Sequence, residues 1–173
     1  MEANSRPHRL TASCGSNPDR SDRYGLADSR GQLGTSSLGR ELFIWPVRVY
    51  YEDTDGGGVV YYANYLRFLE RARTEWLRAL GFEQRELAQR ERVLFVVRSV
   101  AVEYLRPSLF DDNLQISVEV VKVGAGQLEF SQRVLRDHEV LVTASIRVAC
   151  VDAGSFRPVR MPKPLATKIR MAM

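Results

Sequence analysis

Histidine and cysteine are scarce in this 173-residue chain, with two of each: His8 and His138, Cys14 and Cys150. No CxxC and no Cys/His cluster occurs, so the usual donor set of a zinc site is missing. His8 falls in a polar N-terminal stretch and His138 in an expected hairpin turn. A Ser-His-Asp or Cys-His nucleophile system therefore has no base. Cys150, near the end of the last expected strand, reads as a core or edge residue. No stretch approaches the roughly 18 consecutive apolar residues that a membrane-spanning helix requires. Neither GxxxxGK[ST] nor GxGxxG is present, which removes the common cradles for nucleoside triphosphates and NAD. The low cysteine count points to a reducing, cytoplasmic setting.

Apolar residues make up 45% of the chain and charged residues 27%, the balance of an ordinary globular domain. The length suits one domain with a core built from hydrophobic burial. The net charge is +4, but the arginines are interspersed with acids and form no basic run. This argues against a nucleic-acid partner and for a mild preference for anionic ligands of many kinds.

Residues 1–40 are rich in Ser, Arg, Gly, Asn and Asp without apolar periodicity, and read as a disordered extension. Glu2, Asp19, Asp22 and Asp28 are more acids than a transit peptide usually carries. Order is expected from FIWPVRVYYEDTD, where Val47, Val49 and Tyr51 alternate with Arg48 and Tyr50 as in a half-buried strand. Gly56, Gly57 and Gly58 then permit a sharp turn and a close approach to a ligand. From about Tyr61 to Leu80, Tyr65, Leu69, Ala72, Trp76 and Leu80 mark one face of a helix of about five turns, ended by Gly81.

The period then changes to two. Leu94, Val96, Val100 and Val102 predict one strand, and Leu114, Ile116, Val118 and Val120 the next. Leu128 and Phe130, then Val140 through Val148, predict two more, with turns at 124–126 and 137–138. A strand, a long helix and about four strands make an α+β fold with the helix on one sheet face and a final antiparallel meander. Pro158, Pro162 and Pro164 mark an irregular C-terminal segment.

The segment with chemical potential is 50–82, where acids, glycines and a helix start converge. A helix N-terminus presents unpaired N–H groups and a partial positive charge, suited to polarising a carbonyl or holding an oxyanion. Gly57, Gly58 and the residues up to Tyr62 are candidates for that hole. Hydrolysis of a reactive acyl group beside it needs only a carboxylate, acting as nucleophile or as a base on water. Asp53 and Asp55 both qualify, but from position alone both read better as turn or cap residues. Glu70 and Glu75 read as i,i+3 partners of Arg73 and Arg78 rather than as catalytic acids.

The stretches VRVYYEDTDGGGVVYYANYLRFLERARTEWLR (47–78), VEYLRPSLFDDNLQI (102–116) and CVDAGSFRPVRMP (150–162) resemble the 4-hydroxybenzoyl-CoA thioesterase family of hot-dog proteins. The resemblance is closest to the Tol-Pal-associated branch, the YbgC-like acyl-CoA thioesterases. It implies a hot-dog fold, a long helix wrapped by a five-stranded antiparallel sheet, over 41–165, with tails at 1–40 and 166–173. It further implies acyl-CoA thioester hydrolysis with Asp55 as the catalytic carboxylate and with the Tyr62 backbone N–H polarising the carbonyl. The branch typically carries His where this chain has Tyr62, and the family more usually has Ala-Gly or Pro-Ala-Gly where it has Gly56–Gly58.

No cofactor or metal is implied. Arg106, Arg157 and Lys163 are the candidate CoA contacts. Implied partners are a second or further copies of the chain, as homodimer or homotetramer, acyl carrier protein, and phospholipid-synthesis proteins at the inner membrane. Hot-dog dehydratases rely on a catalytic His that this site lacks. A non-catalytic acyl-thioester-binding protein or lipid-synthesis partner is the alternative, against which Asp55 argues.

Overall fold

The computed structural model describes residues 31–35 and 41–173. Its elements are β1 (Gln32–Thr35), β2 (Glu41–Arg48), a 3-10 turn (Tyr51–Asp53), α1 (Asn64–Ala79) and α2 (Gln84–Glu86), which runs on through a π turn (Leu87–Glu91). They continue as β3 (Val93–Tyr104), β4 (Asn113–Val123), β5 (Gln127–Arg136), β6 (Glu139–Asp152) and α3 (Lys163–Met171). All strand pairs are antiparallel in the order β1-β2-β4-β5-β6-β3. The five expected strands are β2 to β6; β1 adds a short sixth at one edge, and β3 forms the other edge.

The helix packs on one face of this sheet for the reason its periodicity suggests. Tyr65, Phe68, Leu69, Ala72, Trp76 and Leu77 are buried and share a core with Leu114, Ile116, Val118, Phe130, Val134, Val142 and Ile146 from β4, β5 and β6. Trp76 and Phe130 meet edge to face at 5.3 Å between ring centroids, a favoured aromatic geometry. The helix ends in a Schellman arrangement. The Gly81 N–H donates to the Arg78 carbonyl and the Phe82 N–H to the Leu77 carbonyl, with Gly81 at φ +89.

Three expectations need correction. The first strand lies at 41–48 rather than reaching Tyr51, which is 80% exposed on the 3-10 turn. In β3 the simple alternation fails because the register against β6 shifts between Val97 and Ser99, leaving Arg98 as an extra residue. Val93 is buried and Phe95 packs on the core before the shift, and Val102 packs on it afterwards. Val100, expected inside, is exposed. Finally, 166–173 is not a tail beyond the domain: α3 runs to Met171 and buries Leu165, Ala166 and Ile169. The disordered extension expected over 1–40 lies outside the described residues except at 31–35, where β1 pairs with β2. Among the described residues no helix is long and apolar enough to cross a membrane.

Candidate active site

The loop between β2 and α1 is built from short hydrogen-bonded turns, and these separate the two acids. The Asp53 carboxylate accepts the N–H of Tyr50 at 2.9 Å, and the Asp53 N–H donates to the Tyr50 carbonyl at 3.0 Å. The Asp53 carbonyl accepts the Tyr61 N–H and the Asn64 side-chain amide, both at 2.9 Å. Asp53 is thus the post to which both the 3-10 turn and the start of α1 are tied.

Asp55 stands at the mouth of a tight hairpin. Thr54 bridges to Val60, and the Asp55 N–H donates to the Val59 carbonyl at 2.9 Å. The Gly58 N–H returns to the Asp55 carbonyl at 2.9 Å, with Gly58 at φ +74, a backbone conformation natural to glycine. The Asp55 carboxylate is exposed, and its Oδ1 accepts the Gly57 N–H at 2.8 Å. One oxygen is therefore held by the loop, which orients the group.

The chain enters α1 through a turn in which the Asn64 N–H donates to the Tyr61 carbonyl at 2.8 Å. Tyr62 and Ala63 sit inside that turn, and among the described residues neither N–H has a protein acceptor. These are the orphan donors of a helix start, where the partial positive charge of the macrodipole also lies. The expected polarising N–H of Tyr62 is accordingly unoccupied by the protein, and that of Ala63, which the residue pattern gave no reason to single out, accompanies it.

Tyrosines line this region. The Tyr61 and Tyr62 rings lie 4.6 Å apart, and the side-chain hydrogen bond to Tyr62 and the charge it carries when ionised, then burial and lastly the charge of Asp55, raise the Tyr61 phenol above its ordinary range. A groove of about 300 Å³ beside the helix start is lined by Val60, Tyr62, Tyr65, Tyr104, Leu105 and Arg106, among others. Of the candidate CoA contacts, only Arg106 borders this groove, and it is ion-paired with Glu139 at 2.6 Å. Arg157 and Lys163 are exposed elsewhere.

The helix acids are engaged away from the site. Glu75 pairs with Arg78 as expected, but Glu70 accepts the Thr74 hydroxyl at 2.8 Å. Arg73 donates instead to the Gln132 side-chain oxygen at 2.7 Å. Burial lowers the Arg73 guanidinium from its usual value, with nearby Glu70 opposing. Cys150 is buried, which pushes its thiol up and away from nucleophile chemistry. His138 is exposed in the β5–β6 turn.

A long helix cradled on one face by an antiparallel sheet is the architecture of the hot-dog fold. A family model described as the Thioesterase-like superfamily matches residues 49–169. "Acyl-CoA thioesterase YbgC" of Haemophilus influenzae is 49% identical over 121 residues, 70% of this chain and 89% of that protein. "Acyl-CoA thioester hydrolase YbgC" of Escherichia coli O157:H7 is 47% identical over 130 residues, 75% and 96% of the two chains. The crystal structure of a probable thioesterase from Bartonella henselae superposes with a TM-score of 0.67 at 35% identity, covering 70% of this chain and 99% of that one. The chain belongs to the Thioesterase-like superfamily, and within it to the YbgC-like acyl-CoA thioesterases.

Proposed function

We propose that this protein hydrolyses acyl-CoA to a carboxylic acid and CoA, with Asp55 as its catalytic carboxylate and the Tyr62 N–H polarising the thioester carbonyl. The observation that carries the reading is the pairing of an exposed carboxylate, oriented by the Gly57 N–H, with helix-start N–H groups that no protein acceptor occupies. Gly57 and Gly58 form the substrate loop, free of side chains that would bar a thioester from the carboxylate.

Two routes share these parts. Asp55 attacks the carbonyl carbon, the oxyanion collapses, CoA thiolate leaves, and water cleaves the acyl-aspartyl anhydride. Alternatively Asp55 takes a proton from water as the water attacks. Both avoid a histidine, because a thiolate is a good enough leaving group to depart without strong acid assistance.

The assembly belongs to the same reading. Among the described residues β3, of 12 residues, pairs with β6 on one side only and forms an edge of the sheet, with Val97, Val100 and Tyr104 exposed along it. Edges of this length and character favour pairing, which supports a homodimer or homotetramer. Acyl carrier protein as an alternative thiol carrier, phospholipid-synthesis proteins as partners, and a cytoplasmic site of action close to the inner membrane rest on the family resemblance.

The test is thiol release from short, long and aromatic acyl-CoAs by the wild type and Asp55→Asn. Activity lost in a folded Asp55→Asn protein supports the assignment and ranks the acyl groups. Binding of acyl-CoA without hydrolysis by the wild type replaces the enzyme with a binding module.

A further inference from the structure

The end of β3 reaches the start of α1 through a single hydrogen bond. The Tyr104 hydroxyl donates to the Tyr62 carbonyl at 3.1 Å. That carbonyl belongs to the same peptide unit as the Ala63 N–H, one of the two N–H groups without a protein acceptor. A planar peptide fixed at its oxygen is fixed at its hydrogen as well, and a carbonyl that accepts a hydrogen bond strengthens its own N–H as a donor.

The Tyr104 ring is itself held. It meets Tyr62 edge to face at 6.4 Å and lies 5.6 Å from Tyr65. The Tyr65 hydroxyl accepts the Ser108 N–H at 2.9 Å, and the Ser108 carbonyl accepts the Val60 N–H at 2.9 Å. The segment 104–108 therefore grips both sides of the turn, with Val60 before it and Tyr62 within it. Burial raises the Tyr104 phenol above its ordinary range, with Tyr62 and Tyr65 adding to the effect, so the hydroxyl keeps the proton it donates.

We infer that Tyr104 is a positioning residue for catalysis: it locks the 62–63 peptide so that the Ala63 N–H joins the Tyr62 N–H as a second donor to the thioester oxygen. The inference rests on the proposed role of the helix start. In this reading Tyr104 does not itself contact the substrate oxygen. It acts through a peptide that, without the hydroxyl, is free to tilt when charge develops on the substrate oxygen.

The experiment compares wild type, Tyr104→Phe and Asp55→Asn by steady-state thiol release and thermal melting. It adds the ¹³C shift of a bound acyl-CoA ketone analogue, labelled at the carbonyl, in which a methylene replaces the sulfur. Tyr104→Phe retains the ring, so melting is expected to stay near wild type, kcat to fall about tenfold and KM to hold. The carbonyl resonance of the bound analogue should move toward its value in water-free solvent, reporting a weaker hydrogen bond. Unchanged kcat with an unchanged carbonyl shift overturns the inference, as does a rise in KM alone, which would make Tyr104 a substrate contact. The ketone contains no scissile bond, so its shift judges Tyr104 whatever Asp55 does. Full activity in Asp55→Asn would instead overturn the carboxylate assignment alone.

Discussion

The Asp53 carboxylate accepts the Tyr50 N–H at 2.9 Å, closing the turn that delivers the chain to Asp55. The two acids of YEDTD are thus unequal: Asp53 is spent on backbone and Asp55 is offered to solvent. Asp53→Ala removes a cap and is expected to cost about 0.5–2 kcal/mol of stability, with activity falling as the loop loosens. Asp55→Asn preserves the acceptor for the Gly57 N–H while removing the nucleophile or base. It should melt like wild type and retain less than about 1% of kcat, given that acid–base catalysis contributes about 10²–10⁴-fold. Chemical denaturation and thiol-release assays on both variants separate the roles. Equal loss of stability in the two would contradict the division.

Beneath the helix, Gln132 is fully buried, donates to the Leu69 and Ser117 carbonyls, and accepts from Arg73. It ties the sheet to the middle of α1. Gln132→Leu strands the partly buried guanidinium and is expected to cost about 2–4 kcal/mol. The double variant Arg73→Leu/Gln132→Leu should recover much of that loss, because an apolar pair leaves no orphaned charge. A urea-denaturation double-mutant cycle reads the coupling, and additive costs would mean that the 2.7 Å contact carries no energy of its own.

Periodicity disclosed the helix face, the meander and Gly81 as the helix stop, since each depends on local spacing that burial rewards directly. It misplaced the inner face of β3, because a single extra residue at Arg98 inverts the alternation and nothing in the sequence of that strand announces it. The C-terminal prolines read as breakers, yet Pro162 is the N-cap of α3 and Pro164 lies in its first turn, where proline is well tolerated. The division of labour between Asp53 and Asp55 is legible only through the family resemblance and not from spacing, for it depends on which backbone N–H groups curl back to each carboxylate. The grip of Tyr104 on Tyr62 joins residues 42 apart, a separation that no local pattern encodes.

The three glycines of the loop should respond differently to alanine. At Gly56 an added Cβ meets nothing within 4 Å, so Gly56→Ala is expected to be nearly silent. At Gly57 the Cβ would lie 3.1 Å from the Asp55 Oδ1, displacing the carboxylate by a few tenths of an ångström and lowering kcat with little change in stability. At Gly58 the positive φ makes alanine strained, with a cost of about 1 kcal/mol. Activity and melting curves for the set test the order, and a Gly57→Ala enzyme with full kcat would show that the carboxylate tolerates more freedom than its loop implies.

The third helix belongs to the core. Leu165 and Ile169 are fully buried, so Leu165→Ala is expected to destabilise by about 2–5 kcal/mol. Removal of the chain after Pro162 should leave an aggregation-prone protein, detected by size-exclusion chromatography. A stable, monodisperse truncation would return this segment to the status of a tail.

Tyr62 contributes through its main chain if it polarises the carbonyl, so its side chain and its N–H can be removed separately. It occupies the position after Tyr61 in a turn closed by the Asn64 N–H, where proline is favoured and its missing N–H breaks no protein hydrogen bond. Tyr62→Ala and Tyr62→Pro both discard the phenol and the Tyr104 ring contact, and differ chiefly in the backbone donor. Tyr62→Ala is expected to keep kcat within about tenfold of wild type. Tyr62→Pro should lose a further 10²–10³-fold, about the cost of removing one oxyanion donor, while circular dichroism and melting stay close to those of Tyr62→Ala. Equal activity in the two variants would move the polarising role off this N–H and onto that of Ala63, whose peptide the Tyr104 hydroxyl still holds by the carbonyl of residue 62.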